Sequence, residues 1–115
     1  MQDGVKISED GVRTYENAYF YDADSKFVEE NARLAFFEMF ERFNYPLTDF
    51  LRENMWISDF GLGDYARCGM GGVFWLNRKE FSYFGHEIFL LPMQMIPEHA
   101  HHKTDAPAKM ESWQV

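Results

Sequence analysis

Residues 92–102 read Pro-Met-Gln-Met-Ile-Pro-Glu-His-Ala-His-His and follow directly on an apolar run. In an extended strand alternate side chains share one face, so His99 and His101 would point in the same direction. Ala100 and His102 would then point away from them. The His-x-His spacing therefore predicts that two imidazoles can bind one metal ion.

A second segment, Lys109-Met110-Glu111-Ser112-Trp113, follows shortly afterwards. As a strand it would carry Lys109 and Glu111 on one face. If that face meets the histidine face, Glu111 completes a set of two imidazoles and one carboxylate. Such nitrogen and oxygen ligands suit Mn, Fe, Ni, Co or Zn, and sites of this kind keep positions open for a substrate. We therefore predict a divalent-metal site made of His99, His101 and Glu111.

Short runs rich in aromatic and β-branched residues precede this stretch, and Gly or Asn-Arg-Lys clusters separate them. Runs of this kind favour a meander of antiparallel strands. The predicted strands are 56–60, 72–76, 81–84 and 87–91. The second half of the chain, from residue 55 to residue 115, is therefore predicted to be β-sheet.

Two glycine clusters, Gly61-Leu62-Gly63 and Gly69-Met70-Gly71-Gly72, superficially resemble phosphate-binding loops. A phosphate-binding loop requires a strand before it, a helix after it and a lysine behind the glycines. That context is missing here. The clusters therefore indicate turns or close packing between strands, and no nucleotide site is predicted.

The chain before residue 55 is predicted to be mainly helical. Apolar residues recur at three- and four-residue spacing from Ser25 to about Phe43, which is typical of an amphipathic helix. Either Asp24 or Ser25 is the expected N-cap. The apolar positions are Val28, Ala32, Ala35, Phe36, Met39, Phe40 and Phe43.

Two shorter predictions complete the first half of the chain. Pro46 ends the long helical region, and a second helix is expected from about Leu47 to Asn54. Residues 1–23 are polar and punctuated by glycine up to the aromatic patch Tyr19-Phe20-Tyr21, and they are expected to form a frayed lead-in with a short strand.

Composition restricts the possible partners and the compartment. The chain has 115 residues, of which 46% are hydrophobic, so one packed domain is expected. A formal net charge of −8 disfavours nucleic acid and anionic membrane surfaces. The chain has no apolar run of membrane-spanning length and no signal-peptide pattern, so a cytoplasmic protein is predicted. A single cysteine, Cys68, excludes an intramolecular disulfide and a thiolate metal cluster.

Residues 92–101 together with Glu111 resemble the first of the two cupin motifs. In that motif a Gly stands six residues before the first His, and a Glu follows the second His after a few residues. Here Met93 occupies the Gly position, and nine residues separate His101 from Glu111. This longer loop, with residues 85–89 and the Lys-Met-Glu sequence, is similar to that of cupin sugar isomerases of the D-lyxose isomerase type. The resemblance covers about residues 55–115.

The resemblance implies an α+β fold. A lead-in and helical segment, residues 1–54, would pack on the first antiparallel strands of a cupin jelly-roll β-barrel, residues 55–115, as one structural domain. The barrel would be incomplete at the C-terminus, because the family's second motif and the Gly that closes its first motif would come after Val115. Open strand edges and an uncovered inner face would then favour self-association. Cupins often dimerise, so the full-length form is expected to be a homodimer.

The resemblance also implies a chemistry, which is aldose–ketose isomerisation of a monosaccharide through a metal-bound enediol. The metal, usually Mn in that family, would be held by His99, His101 and Glu111, while Lys109 would bind a sugar oxygen or stabilise the enediolate. The fourth ligand and the general base would lie on later strands. The 115-residue chain alone is therefore expected to be inactive.

Other interpretations remain open. The chain could be a non-catalytic cupin that binds a sugar or small acid, with a structural metal or none, or it could be a cupin oxygenase. The histidine cluster could be part of a solvated loop, and Lys109 could be solvated at a strand start. His86 is interpreted as a structural or rim histidine, and Cys68 as a buried small apolar residue.

Overall fold

A computed structural model of the chain describes residues 3–100, together with Ser112 and Gln114. A single 3₁₀ turn, Lys79–Phe81, joins the last two strands. The helices and strands follow one another in the order β1 Val5–Ile7, β2 Arg13–Tyr15, α1 Asn17–Phe20, α2 Glu29–Arg42, α3 Asp49–Asn54, β3 Trp56–Ser58, β4 Met70–Arg78 and β5 Tyr83–Phe89.

The N-terminal lead-in is more ordered than expected. Strands β1 and β2 form an antiparallel hairpin in which Val5 pairs with Tyr15. A short strand was expected in residues 1–23, and this hairpin confirms it. Tyr19 and Phe20 belong to the short helix α1 and are both buried. The ring of Phe20 packs edge-on against the buried ring of Tyr65, with centroids 4.8 Å apart. This contact ties the lead-in to the second half of the chain.

The N-cap predicted at Asp24 or Ser25 for the long helix is wrong. The Asp22 carboxylate accepts hydrogen bonds from the backbone amides of Asp24 and Lys26, at 2.8 and 3.0 Å. Ser25 has a positive φ of 61°. Because Asp side chains bind nearby backbone amides in turns as well as at helix starts, the polar residues here build a turn that precedes the helix.

The amphipathic helix itself is confirmed as α2, which begins at Glu29 and ends at Arg42. Phe43, expected on its buried face, is 67% exposed because the helix has ended and Asn44 takes a left-handed conformation. The second predicted helix is confirmed as α3, where the Thr48 hydroxyl accepts a hydrogen bond from the Leu51 amide at 3.1 Å. The buried residues of α2 are Ala32, Ala35, Phe36 and Phe40.

Strands β3, β4 and β5 form an antiparallel sheet in that order. Two predicted strands, 81–84 and 87–91, are replaced by the single strand β5, because Gly85 pairs with Leu76 and does not interrupt the ladder. Phe74 pairs with His86, so Trp75 is left without a partner as a β-bulge.

Helix α2 packs on one face of this sheet. Phe40 of the helix meets Phe89 of β5 edge-on, with ring centroids 4.8 Å apart, and Val73 of β4 is fully buried. Full burial of one such side chain stabilises the fold by about 1.5–3 kcal/mol. The core therefore combines residues from the helical segment and from the sheet.

The mixture of helices and antiparallel strands predicted from the sequence is present. The described residues form one two-stranded and one three-stranded sheet, and these sheets do not close into a barrel. Within residues 3–100, no helix combines the length and apolarity that a membrane span requires.

Candidate metal centre

The chain that leads to His99 is held against the preceding loop by side-chain and backbone hydrogen bonds. The Gln94 side chain accepts a hydrogen bond from the Leu91 amide and donates one to the Tyr65 carbonyl, both at 2.8 Å. The Met95 amide donates to the Arg67 carbonyl at 2.8 Å. The position of residues 91–95 is therefore set by the loop between β3 and β4.

That loop is in turn fixed by Tyr21, which precedes α2. The Tyr21 hydroxyl donates to the Asp59 carboxylate at 3.3 Å and accepts a hydrogen bond from the Tyr65 amide at 3.0 Å. Burial raises the pKa of Tyr21 to about 12, so the phenol keeps its proton and donates at neutral pH.

A second anchor joins α1 to the same loop. The Asn17 side-chain amide donates to the Asp64 carboxylate at 2.8 Å, and its oxygen accepts from the Ala66 amide at 2.9 Å. The hydrogen bond from Asn17, with further help from Arg67, lowers the pKa of Asp64 below its usual value. The loop is thus tied to the helical segment at both ends.

His99 is exposed, and the contacts of its ring include the Pro97 carbonyl and the ring of Phe60. Its Nδ1 atom lies 2.8 Å from the Pro97 carbonyl oxygen. Because a carbonyl can only accept, Nδ1 carries the proton, and a neutral imidazole then has its lone pair on Nε2. The ring of Phe60 lies beside the imidazole, with centroids 6.0 Å apart. A histidine whose Nδ1 donates to a backbone carbonyl fits the role of a metal ligand through Nε2.

The other predicted site residues, His101, Lys109 and Glu111, lie outside the described residues. The predicted strand through His99 is not found in the described residues, because residues 96–100 form neither helix nor strand. Within residues 3–100, no three His, Cys, Asp or Glu side chains group into a metal site. The three-ligand site therefore stays a prediction that rests on the sequence.

His86 packs in a cluster of aromatic rings that the sequence analysis missed. It stacks on Phe74 with ring centroids 5.4 Å apart and meets Phe84 edge-on at 5.1 Å. Trp56 of β3 lies 5.8 Å from Phe74. Since alternate residues of a strand share a face, these side chains lie on the sheet face opposite α2. The signal in the sequence was weak because it is divided among three strands.

Trp56 contributes a buried donor to this aromatic face. Its indole lies against Gly72, where an added Cβ would stand 2.4 Å from the Trp56 Cζ2 atom. The Trp56 Nε1 atom is buried and has no hydrogen-bond partner among the described residues. The close packing predicted for the second glycine cluster is thus confirmed at Gly72. Cys68, predicted to be buried, is half-buried.

On the helix side of the sheet, one carboxylate links three elements. The Glu87 oxygens accept hydrogen bonds from Trp75 Nε1 at 2.7 Å and from the Tyr45 hydroxyl at 2.8 Å. Phe50 of α3 stacks on Trp75, with ring centroids 5.5 Å apart. Burial, and secondarily the bond to Glu87, raise the pKa of Tyr45 to about 12. The phenol therefore remains a donor across the physiological range.

The chain is similar in sequence to two sugar isomerases. Over 78 residues it is 32% identical to a D-lyxose/D-mannose isomerase of Thermosediminibacter oceani, a match that covers 67% of this chain and 42% of the relative. Over 77 residues it is 36% identical to a D-lyxose ketol-isomerase of Cohnella laeviribosi, covering 66% of this chain and 41% of the relative.

The matched segment is thus less than half the length of either relative. No family model matches the chain. No solved structure matches it. The two similarities support a relationship to sugar isomerases. The names of both relatives include D-lyxose.

Proposed function

We propose that the protein is a metal-dependent sugar isomerase of the cupin type that interconverts an aldose and its ketose. The observation that carries this proposal is the similarity, over two thirds of the chain, to two relatives named as D-lyxose isomerases. Their names make D-lyxose and D-mannose the first substrates to test. The imidazole of His99, which donates through Nδ1, supports the metal-dependent form of the proposal.

In this proposal His99, His101 and Glu111 hold a divalent ion, with Mn as the first candidate and Fe, Co, Ni or Zn as alternatives. The bound ion would polarise the carbonyl and hydroxyl oxygens of the open-chain sugar. Lys109 would bind a sugar oxygen and stabilise the negative charge that develops there. The histidine ligands cannot also serve as general base, because the imidazole lone pair that would accept a proton is bound to the ion.

The proposed reaction moves two protons within the sugar. A base removes the proton from C2 of the aldose and a proton returns to C1, while another passes from the C2 hydroxyl to the former carbonyl oxygen. The reaction needs no oxidant or reductant, since C1 is reduced as C2 is oxidised. A base that exchanges its proton with water would leave a solvent label on C1 of the ketose.

The test is isomerisation by the intact gene product. The protein is incubated with Mn in deuterated water and given D-lyxose, D-mannose and their ketoses in turn. We expect interconversion with deuterium at C1 of the ketose, and a loss of at least about 100-fold in His99→Ala. His102→Ala, which removes a neighbouring histidine expected on the opposite face, is the matched control. Failure to convert any pentose or hexose would refute the isomerase proposal.

A further inference from the structure

Phe60 has an unusual backbone conformation at the point where it meets His99. It follows β3 and has a positive φ of 56°, a region that residues other than glycine rarely occupy. Its ring lies 6.0 Å from the His99 ring between centroids, at an interplanar angle of 38°. A conformation of this kind persists only where the surroundings impose it.

The surroundings that impose it are hydrogen bonds on both sides of Phe60. The Phe60 amide donates to the Ser58 hydroxyl at 3.2 Å, and the Gly61 amide donates to the Asp59 carboxylate at 2.9 Å. The same carboxylate accepts the hydroxyl proton of Tyr21. The turn that carries the Phe60 ring is therefore held by hydrogen bonds within the turn and by the hydrogen bond from Tyr21 of the helical segment.

The Pro97 carbonyl, a second neighbour of the imidazole, lies on a restrained segment of backbone. The pyrrolidine ring of Pro97 fixes its φ and restricts the backbone of Ile96. Upstream, Gln94 and Met95 are hydrogen-bonded to the loop between β3 and β4. The carbonyl of Pro97, 2.8 Å from His99 Nδ1, is therefore an acceptor on a restrained segment. This acceptor and the Phe60 ring together restrict the orientation of the imidazole.

We infer that Phe60 is a positioning residue that, with the Pro97 carbonyl, holds the His99 imidazole in its Nδ1–H tautomer and thereby makes Nε2 the ligating nitrogen. The role of Nε2 as a metal ligand rests on the proposed metal-dependent function. The Nδ1–H tautomer does not depend on that function, so it can be measured without any metal or substrate.

The first test is the long-range ¹H–¹⁵N correlation spectrum of the metal-free protein at a pH where imidazoles are neutral. We expect the His99 nitrogens to show the Nδ1–H pattern in the wild type and in Phe60→Tyr, which retains the ring. In Phe60→Leu the pattern should shift towards the Nε2–H form that free histidine prefers in water. Phe81→Leu, at a phenylalanine that is 71% exposed on the 3₁₀ turn, is the matched control and should leave the pattern unchanged.

The inference is overturned if His99 is an Nε2–H tautomer in the wild type, or if Phe60→Leu and the wild type give the same pattern. Circular dichroism establishes that the variants are folded, and Phe60→Tyr separates loss of the ring from a general effect of substitution. Neither result depends on whether the protein binds metal.

The second test is Mn²⁺ affinity by titration calorimetry on the same variants. We expect Phe60→Leu to weaken binding about tenfold, as is typical when a group that orients a metal ligand is removed. If the wild type binds no Mn²⁺ but the tautomer shifts, the positioning role stands and the metal proposal fails. If His99→Ala abolishes Mn²⁺ binding while Phe60→Leu changes neither affinity nor tautomer, the metal proposal stands and the positioning role is wrong.

Discussion

Gly71 determines how closely the helical segment approaches the sheet. A Cβ at this position would stand 2.5 Å from the Met55 methyl carbon and 3.0 Å from a ring carbon of Phe36. The Met55 methyl ends a flexible side chain and can shift, but both side chains are buried, and the Phe36 ring would have to give way inside the core. We expect Gly71→Ala to lower the free energy of unfolding by about 1–3 kcal/mol, measured by urea denaturation.

The matched control is Gly85→Ala on the neighbouring strand, where the nearest atom, the Leu76 Cβ, would be 4.0 Å away. Its free energy of unfolding should stay within about 0.5 kcal/mol of the wild type. Equal stabilities for the two alanine variants would show that Gly71 is not required for close packing.

At this scale the sequence predicted some roles and not others. The glycine clusters were assigned to turns and close packing, and Gly61 and Gly63, with φ of 68° and 69°, confirm a turn. The predicted cap at Asp24 or Ser25 failed because a polar residue before a helix serves a turn equally well. Local residue type cannot distinguish these two uses.

At the scale of elements, the anchor between α1 and the loop after β3 predicts a pH dependence. Because the pKa of Asp64 is lower in the folded protein than its usual value of 3.8, its stabilising effect is present above that value. The effect is lost as the pH falls through the lower folded pKa. We therefore expect Asp64→Asn to be less stable than the wild type at neutral pH, and the difference to shrink below about pH 4.

Thermal unfolding at a series of pH values measures this difference. Glu53→Gln, at an exposed carboxyl on α3, is the control and should parallel the wild type throughout. A constant difference between Asp64→Asn and the wild type across the acid range would contradict the assignment.

The hydrogen bonds that Glu87 accepts from Trp75 and Tyr45 connect the sheet to the helical segment. We therefore predict that the helical segment and the sheet unfold together. Tyr45→Phe removes one of the two hydrogen bonds to this carboxylate and should cost about 0.5–1.5 kcal/mol. Since the bond joins the two segments, fluorescence and circular dichroism should report one transition at one urea concentration in both proteins. Separate transitions would indicate that the two segments are independent.

The predicted elements were mostly found, and the errors have local causes. The α2 pattern is strong because four residues of one face are buried. The sequence predicts two strands where the structure has β5, because Gly85 is typical of a break, whereas a glycine can stay in a ladder opposite a larger residue such as Leu76. The bulge at Trp75 was not predicted, since it depends on the register between two strands.

For the whole molecule, the aromatic face opposite α2 predicts self-association. Its Phe74 is 39% exposed, and Trp56, Phe84 and Ile88 on the same face are only partly buried. Contiguous exposed apolar surface promotes association. We expect sedimentation velocity to show concentration-dependent association that weakens in Phe74→Ser.

Phe43→Ser, at an exposed phenylalanine beside the end of α2, is the control for the loss of one aromatic ring. It should associate as the wild type does. A monomeric wild type at all concentrations would contradict the prediction.

Metal removal tests the proposed chemistry of the intact protein. We expect a chelator to reduce isomerase activity by at least about tenfold and added Mn²⁺ to restore it, since the proposed ion stabilises charge on the sugar oxygens. Steady-state rates with D-lyxose, before and after dialysis, measure the effect. Full activity in the dialysed protein, with no metal found by elemental analysis, would exclude the proposed role of the ion.

The candidate site was only partly predictable from the sequence. The His-x-His spacing identifies His99 as a candidate because it is a short-range pattern. Its contacts with Phe60 and with the loop held by Tyr21 join residues that are far apart in the chain, so only the fold reveals them. Side-chain orientation at His99 depends on these long-range contacts.

The placement of two tryptophans gives the sheet an optical reporter on each side. Trp56 lies over Gly72 with its indole nitrogen buried, so its emission should be blue-shifted. Trp75 donates to a carboxylate on the opposite side and is 44% exposed, so its emission should lie at longer wavelength. In a Trp113→Phe variant, which removes the third tryptophan of the chain, a ligand or a second polypeptide that covers only one side would change one component of the spectrum and leave the other unchanged.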